Sequence, residues 1–470
     1  MFDIPPPIPH IRNSMRSSIT LKLVIIGILI IGLLILTIPL FIVIEDREAR
    51  RDNVVEEISS KWGGDQTIFG PILSVPYYHT IINRSNNGRS STTKKKQFLH
   101  FLPDNLEINA TVVPELKYRG IFETVVYKSI IEIRGSFSKL DWNLANVEEH
   151  EILKEQTSLC IGIPDVRGIR EATTISFLGK ELEALPGLHT QDVLKSGLSA
   201  RVDLTDSNET MEFEVYLHLD GSSSLAFSPL GKTTSVKMKS PWISPSFDGA
   251  FLPLDKNITK EGFIASWNVL HLNRSIPQSW TGPTPSSVKN TNWKNDQSFA
   301  GPKNILGDFS FGVKFYMPND VYQKTSRMAK YAILFLVFGF TSFFFTEILQ
   351  KSKVHPIQYL MIGFAILIFY LLLLSLSEHF GFDLAYLAST GSVVLLIGFY
   401  ASAILASRKL AFSVSAVLSI LYGYLYVILQ LESYALLMGS LGLFGTLALA
   451  MFFTRNIDWY SLRLPSGGGK

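Results

Sequence analysis

Six stretches of the chain run without Asp, Glu, Lys or Arg: residues 23–44, 331–346, 357–376, 384–407, 410–431 and 433–454. Each approaches or exceeds the roughly 20 residues a helix needs to cross a bilayer. The shortest lengthens to 328–348 if Lys330 extends its amine toward the headgroups. The first ends on Glu45-Asp46-Arg47-Glu48 with no small-residue cleavage site, so it reads as an uncleaved anchor rather than a signal peptide. Pro39 predicts a bend late in that helix. Val54, Ile58 and Trp62 then recur at helical spacing until Gly63-Gly64 stops the pattern.

Between about residues 70 and 317 the period changes from helical to alternating. Phe213, Val215, Leu217 and Leu219 interleave with Glu214, Tyr216, His218 and Asp220, as in a half-buried strand. Asp220-Gly221 predicts a two-residue hairpin turn into 222–227. Similar alternation marks 125–134, 200–204, 236–239 and 313–317, and the polar stretch 85–97 with Lys94-Lys95-Lys96 reads as a solvated hairpin tip. The expected fold class is therefore a six-span α-helical membrane protein. One N-terminal anchor and a five-helix C-terminal bundle hold a large inserted, antiparallel, sandwich-like β domain outside the cytoplasm.

Flanking charge sets the orientation. Arg12, Arg16 and Lys22 precede the first run, Lys351 and Lys353 follow the second, Arg408 and Lys409 follow the fourth, and Arg455 and Arg463 follow the sixth. The alternate loops hold only Glu378, Asp383 and Glu432. Both termini are expected in the cytoplasm of a bacterial cell, with the large domain periplasmic. The boundaries are 1–22 for a cytoplasmic tail, 23–44 for the first span and 45–327 for the domain, including a helical lead-in over 45–62. The bundle then covers 328–454 (328–348, 357–376, 384–407, 410–431 and 433–454), with a second cytoplasmic tail at 455–470.

Composition agrees with a membrane protein: 47% of residues are hydrophobic and the mean hydropathy is +0.23. A net charge of +3 gives no reason to expect nucleic acid, and the single cysteine, Cys160, excludes an intrachain disulfide. Gly231-Lys232-Thr233 ends like a phosphate loop, but Ala226 stands where its first glycine belongs. Ser136 and Lys139 have the spacing of a Ser-x-x-Lys nucleophile in a turn-like stretch. No catalytic residue, metal ligand or cofactor is expected.

The spans also lack the internal charges that ion-coupled transport needs. Ionisable groups sit at their edges: Glu347, Glu378, His379, Asp383 and Glu432. Glu378 and His379 form a candidate functional pair at the outer membrane edge. Arg455, Asp458 and Trp459 form a candidate motif at the inner edge, and Asp165 with Arg167 a candidate recognition segment in the domain. Small residues at Ala435, Gly439 and Gly442, and at Ala388, Gly391 and Ser392, predict helix contact faces.

Several segments resemble one known family. They are Ala329-Lys330-Tyr331-Ala332-Ile333-Leu334, His355-Pro356-Ile357-Gln358-Tyr359-Leu360, the run from Phe369 to Ser377-Glu378-His379, and Thr454-Arg455-Asn456-Ile457-Asp458-Trp459-Tyr460. Gly70-Pro71-Ile72-Leu73, Asp165-Val166-Arg167-Gly168-Ile169 and Ser244-Pro245-Ser246-Phe247-Asp248-Gly249 follow the same likeness. In order and spacing the chain resembles the CreD family of inner-membrane proteins over residues 23–460. The resemblance implies a role in cell-envelope integrity, regulation in some bacteria by the Cre two-component system, and altered colicin tolerance on overproduction. It supplies no enzyme activity and no catalytic list. The expected function is a non-enzymatic envelope protein whose partners are membrane lipids, cell-wall material or a periplasmic or inner-membrane protein. The alternatives are a lipid or small-solute transporter and a membrane-bound envelope-stress accessory.

Overall fold

The computed structural model describes residues 19–84, 90–205, 210–284, 305–315, 317, 321–350, 354–405, 407–431 and 434–455. It divides into a helical unit, Met1–Arg51 with Asn319–Lys470, and a β-rich unit, Asp52–Pro318.

α1 (Ile19–Ile35) and α2 (Thr37–Trp62) form one 42-residue helix, Leu21–Trp62, that loosens at Leu36 and belongs to the helical unit as far as Arg51. Pro39 has no N–H to offer the carbonyl of Ile35, which is why the ladder breaks there. α2 stops at Gly63, whose φ of +119 suits glycine. After α3 (Ile305–Asp308), a single turn in the β-rich unit, come α4 (Val321–Lys330), α5 (Ala332–Gln350), α6 (Pro356–Phe380), α7 (Phe382–Ile404), α8 (Arg408–Gln430) and α9 (Ala435–Thr454). Among the described residues four helices are long and apolar enough to cross a membrane: Leu21–Trp62, α6, α7 and α8. α4 and α5 make a fifth only as a pair bent by 47°. The straight span expected over 328–348 is thus broken at Tyr331. α4 carries Lys324, Arg327 and Lys330, so only the chain beyond it is apolar all round. The sixth expected run coincides with α9, some of whose side chains lie outside the described residues.

The first helix is not the separate anchor expected. α1 packs on α5 and α6, with Leu33 1% exposed. Gly363 makes room for it: a Cβ there would lie 2.2 Å from Leu33 Cδ1. Gly442 likewise admits the ring of Tyr424, 2.5 Å from where its Cβ would be. The expected contact face on the fourth run is corrected, because Ala388, Gly391 and Ser392 are exposed and Gly391 meets nothing within 4 Å. Gly439 meets nothing either.

The β-rich unit contains β1 (Gln66–Arg84), β2 (Ser90–Phe101), β3 (Asn105–Arg119) and β4 (Phe122–Phe137), two long hairpins that seed two sheets. The nine-stranded sheet runs Pro245–Gly249, Phe311–Phe315, Ser224–Phe227, β1, Thr157–Gly162, Gly197–Val202, Leu185–Pro186, with β2 and Ser279–Thr281 branching from it. The eight-stranded sheet runs Asp255–Thr259, Gly262–Leu270, Thr233–Ser240, β3, β4, Met211–Ser222, Thr174–Phe177, Lys180–Leu182. Both feed one apolar core, including Ile72, Leu159 and Phe227 from one sheet and Ile133, Val215 and Trp267 from the other.

The sheets are mixed rather than purely antiparallel: β1 pairs with Ser224–Phe227, and β3 with Thr233–Ser240, in parallel. The first parallel pairing follows from a strand that changes sheets. No hairpin forms at Asp220-Gly221; the strand continues to Ser222, and Ser223, at φ +56, turns the chain into the other sheet. Gly221 serves close approach instead, since a Cβ there would lie 2.3 Å from Tyr127 Oη. Lys94, Lys95 and Lys96 lie within β2, opposite Thr80, His79 and Tyr78, rather than in a tip.

Candidate functional site

The helical unit holds two clusters built around carboxylates, one buried and one half-buried. In the first, Glu347 on α5 is 1% exposed. Its Oε1 accepts from Lys22 Nζ on α1 and from the Val354 N–H at 3.1 Å, and its Oε2 accepts from Tyr359 Oη on α6 at 3.0 Å. Lys22 also donates to Val354 O at 2.9 Å and lies 5.8 Å from the Tyr359 ring centre. Every partner a buried carboxylate needs is therefore present, drawn from two other helices and the segment that leads into α6.

In the second cluster, Glu378 on α6 accepts from Tyr322 Oη on α4 at 3.1 Å and lies 3.8 Å from Arg47 Nε on α2. The Arg51 guanidinium sits 5.6 Å from the centre of the Tyr322 ring. Lys22 and Arg47 are 25 positions apart on one helix, about 37 Å at 1.5 Å per residue. That exceeds the ~30 Å hydrocarbon core, so both clusters fit at its boundaries.

Glu378 and His379 point to different faces of α6. Successive residues of a helix point about 100° apart, and while Glu378 turns inward, His379 is exposed with its ring 6.4 Å from Phe380. Of the other expected motif, Arg455 is exposed with its guanidinium 4.3 Å from the centre of the Phe452 ring, and Asp458 and Trp459 lie outside the described residues.

In the β-rich unit, Asp165 and Arg167 do meet. The carboxylate caps the turn Val166–Gly168, takes the Arg167 fork through Nε at 2.8 Å and Nη2 at 2.7 Å, and accepts the Gly64 N–H at 3.2 Å. Arg167 holds the Asp165 carboxyl below the usual carboxylate range. The contact fastens the chain just after α2 to this turn. Gly63 and Gly168 allow it, because a Cβ on either would lie 2.8 or 2.2 Å from the Asp220 carbonyl. Arg170 Nε meets Asp220 Oδ2 at 2.7 Å, and Trp62 lies between the charges of Arg170 and Lys117, 5.1 and 4.7 Å from its ring.

A third arrangement escaped sequence reading. Ser74 Oγ lies 2.9 Å from His100 Nδ1, beside Cys160, where adjacent strands bring them together. All three are buried; burial pushes His100 down to about 3 and the Cys160 thiol up to about 11. The imidazole stays neutral and the thiol protonated, with no surface at which a substrate could meet them. On the outer sheet face, Arg134, Gly135, Ser176, Glu212 and Glu214 border an open hollow of about 490 Å3. Arg134 pairs there with Glu214 at 2.5 Å and with Glu132. No group of three or more His, Cys, Asp or Glu is arranged to hold a metal among the described residues.

Nothing in the sequence joined Lys22 to Glu347, 325 positions away. The one local signal was a lone acid at the end of an apolar run.

Residues 18–460 match the family described as "Inner membrane protein CreD". The Inner membrane protein CreD of Escherichia coli (strain K12) is 29% identical over 441 residues, covering 92% of this chain and 93% of that protein. The match takes in Lys22, Arg47, Glu347 and Glu378 together with the whole β-rich unit. With apolar helices in one unit and a two-sheet domain in the other, the chain belongs to the CreD family of inner-membrane proteins.

Proposed function

We propose that this inner-membrane chain is a non-enzymatic envelope-integrity protein that presents its β-rich unit to lipid, cell-wall material or a protein partner in the periplasm. The observation that carries the reading is the division of labour in the chain. The β-rich unit is joined in sequence to apolar helices at both ends, and the charges at its open hollow, Arg134 and Glu214, are paired with each other. The alternating Lys and Arg content of the short loops supports six spans, with both termini in the cytoplasm. No cofactor and no nucleic acid enter this reading.

Crosslinking from the β-rich unit in living cells, with identification of captured lipids and proteins, tests it. Recovery of an envelope protein, cell-wall material or lipid is expected, together with detergent sensitivity on gene deletion. Recovery of none, with an unchanged envelope in the deletion strain, would sink the proposal.

A further inference from the structure

Hydroxyls in α6, α7 and α8 mostly find partners in their own or a neighbouring helix. Ser377 Oγ donates to Leu374 O at 2.9 Å, Ser415 to Ala411 O at 3.1 Å, and Tyr386 Oη to Tyr422 O at 2.7 Å. Three do not. Tyr370 of α6, Ser389 of α7 and Tyr422 of α8 are each 0% exposed, and their side-chain oxygens have no hydrogen-bond partner among the described residues. A helical serine ordinarily returns its hydroxyl to the carbonyl one turn back. Ser389 does not.

The three lie at similar depths: Tyr370 is ten residues before the end of α6 at Phe380, Ser389 seven after the start of α7 at Phe382 and Tyr422 eight before the end of α8 at Gln430, about 15, 10 and 12 Å in from the side where those ends lie. Tyr370 and Tyr422 share an aromatic floor. The Phe369 ring is 5.1 Å from that of Tyr370, 4.7 Å from Tyr422 and 5.7 Å from Tyr386, and Ser389 follows Tyr386 by one turn on the same helix face. Phe335 of α5 approaches Tyr422 at 4.3 Å and Tyr370 at 6.4 Å.

Hydrocarbon offers such groups neither donor nor acceptor, and buried hydroxyls in native proteins nearly always find a partner. Each hydroxyl can donate once and accept twice. Three of them, on three helices and without a fixed charge, offer what a buried water requires, two to four neutral hydrogen-bonding partners. We propose that Tyr370, Ser389 and Tyr422 form a water-binding site inside the helical unit, joining α6, α7 and α8 by hydrogen bonds through the bound molecule. The inference is independent of the envelope role proposed above and gives the helices a wet centre between their two charged clusters.

Thiol reactivity tests it, because a cysteine reacts as its thiolate and needs water to ionise. The full-length protein in phospholipid vesicles is treated with a small methanethiosulfonate, comparing Ser389→Cys with Val393→Cys, a buried site one turn further along α7. The unsubstituted chain, whose single Cys160 is buried, supplies the baseline. Ser389→Cys is expected to react at least tenfold faster than Val393→Cys; equal rates overturn the proposal. Tyr370→Phe and Tyr422→Phe, singly and together, give a second readout that changes shape little. Each single change is expected to lower the melting temperature in detergent, and the pair to lower it no further than the worse single, because the shared site is lost with the first hydroxyl. Neutral singles, or strictly additive losses, overturn the proposal.

Discussion

In the β-rich unit Arg134 meets Glu214 at 2.5 Å with 51% of its side chain in solvent, and Lys61 meets Glu57 at 2.6 Å under similar exposure. In the helical unit Glu347 is 1% exposed and takes hydrogen bonds from a lysine, a tyrosine and a backbone amide at once. The surroundings explain the contrast. Water solvates the partners of an exposed pair whether or not they touch, so each such pair adds little. A carboxylate withdrawn from water has only the groups the fold supplies, so all must be present together. The few charges of the helical unit therefore hold helices together, while the many charges of the β-rich unit cover a surface.

The comparison breaks first if Glu347 is dispensable. Glu347→Ala leaves the Lys22 ammonium, the Tyr359 hydroxyl and the Val354 amide without their acceptor. The full chain in detergent should lose about 3–5 kcal/mol, the scale of a buried pair deprived of one partner. An unchanged melting temperature would show that the cluster bears no strain of this kind. Gly168→Ala should come next. Its Cβ would lie 2.2 Å from the Asp220 carbonyl, and such overpacking costs about 1–3 kcal/mol, visible as earlier proteolysis of the β-rich unit.

Asp165→Asn should have a smaller effect, and one that depends on pH. The carboxyl is held below its ordinary value, so the native form binds the proton less readily than the unfolded chain. Its stabilisation is then present above the unfolded carboxylate pKa of about 3.9 and is lost as pH falls through the lower native value. Melting curves taken from pH 6 downward should fall less steeply for Asp165→Asn than for the parent, and parallel curves would refute the assignment. Arg134→Ala should do least, with no resolvable change in melting temperature at high salt. A large change would mean that the outer sheet face is not the solvated surface its exposure indicates.

The six apolar runs all appear as helix among the described residues, and α2 ends at Gly63 where the glycine pair predicted. These features rest on neighbours in sequence, where hydrophobic period and backbone freedom act directly. The Asp220-Gly221 turn failed for the opposite reason. Glycine permits both a turn and a close approach, and only the arrival of Tyr127 from another strand decides between them. Of the candidate residues, Asp165 and Arg167 read as a recognition segment, and the structure adds that they pair across one turn. Glu378 and His379 are adjacent yet diverge, since helix geometry sends neighbours to different faces.

The membrane class and the two kinds of unit were legible from the residues alone, because burial in lipid and pleated alternation are properties of local composition and period. Contacts between distant residues bring the first helix against the later ones, pass a strand from one sheet to the other at Ser223, and give Glu347 and Glu378 their partners. Those outcomes depend on distances between residues far apart in the chain. A charge at the edge of an apolar run reads the same whether it faces water or a lysine more than three hundred residues away.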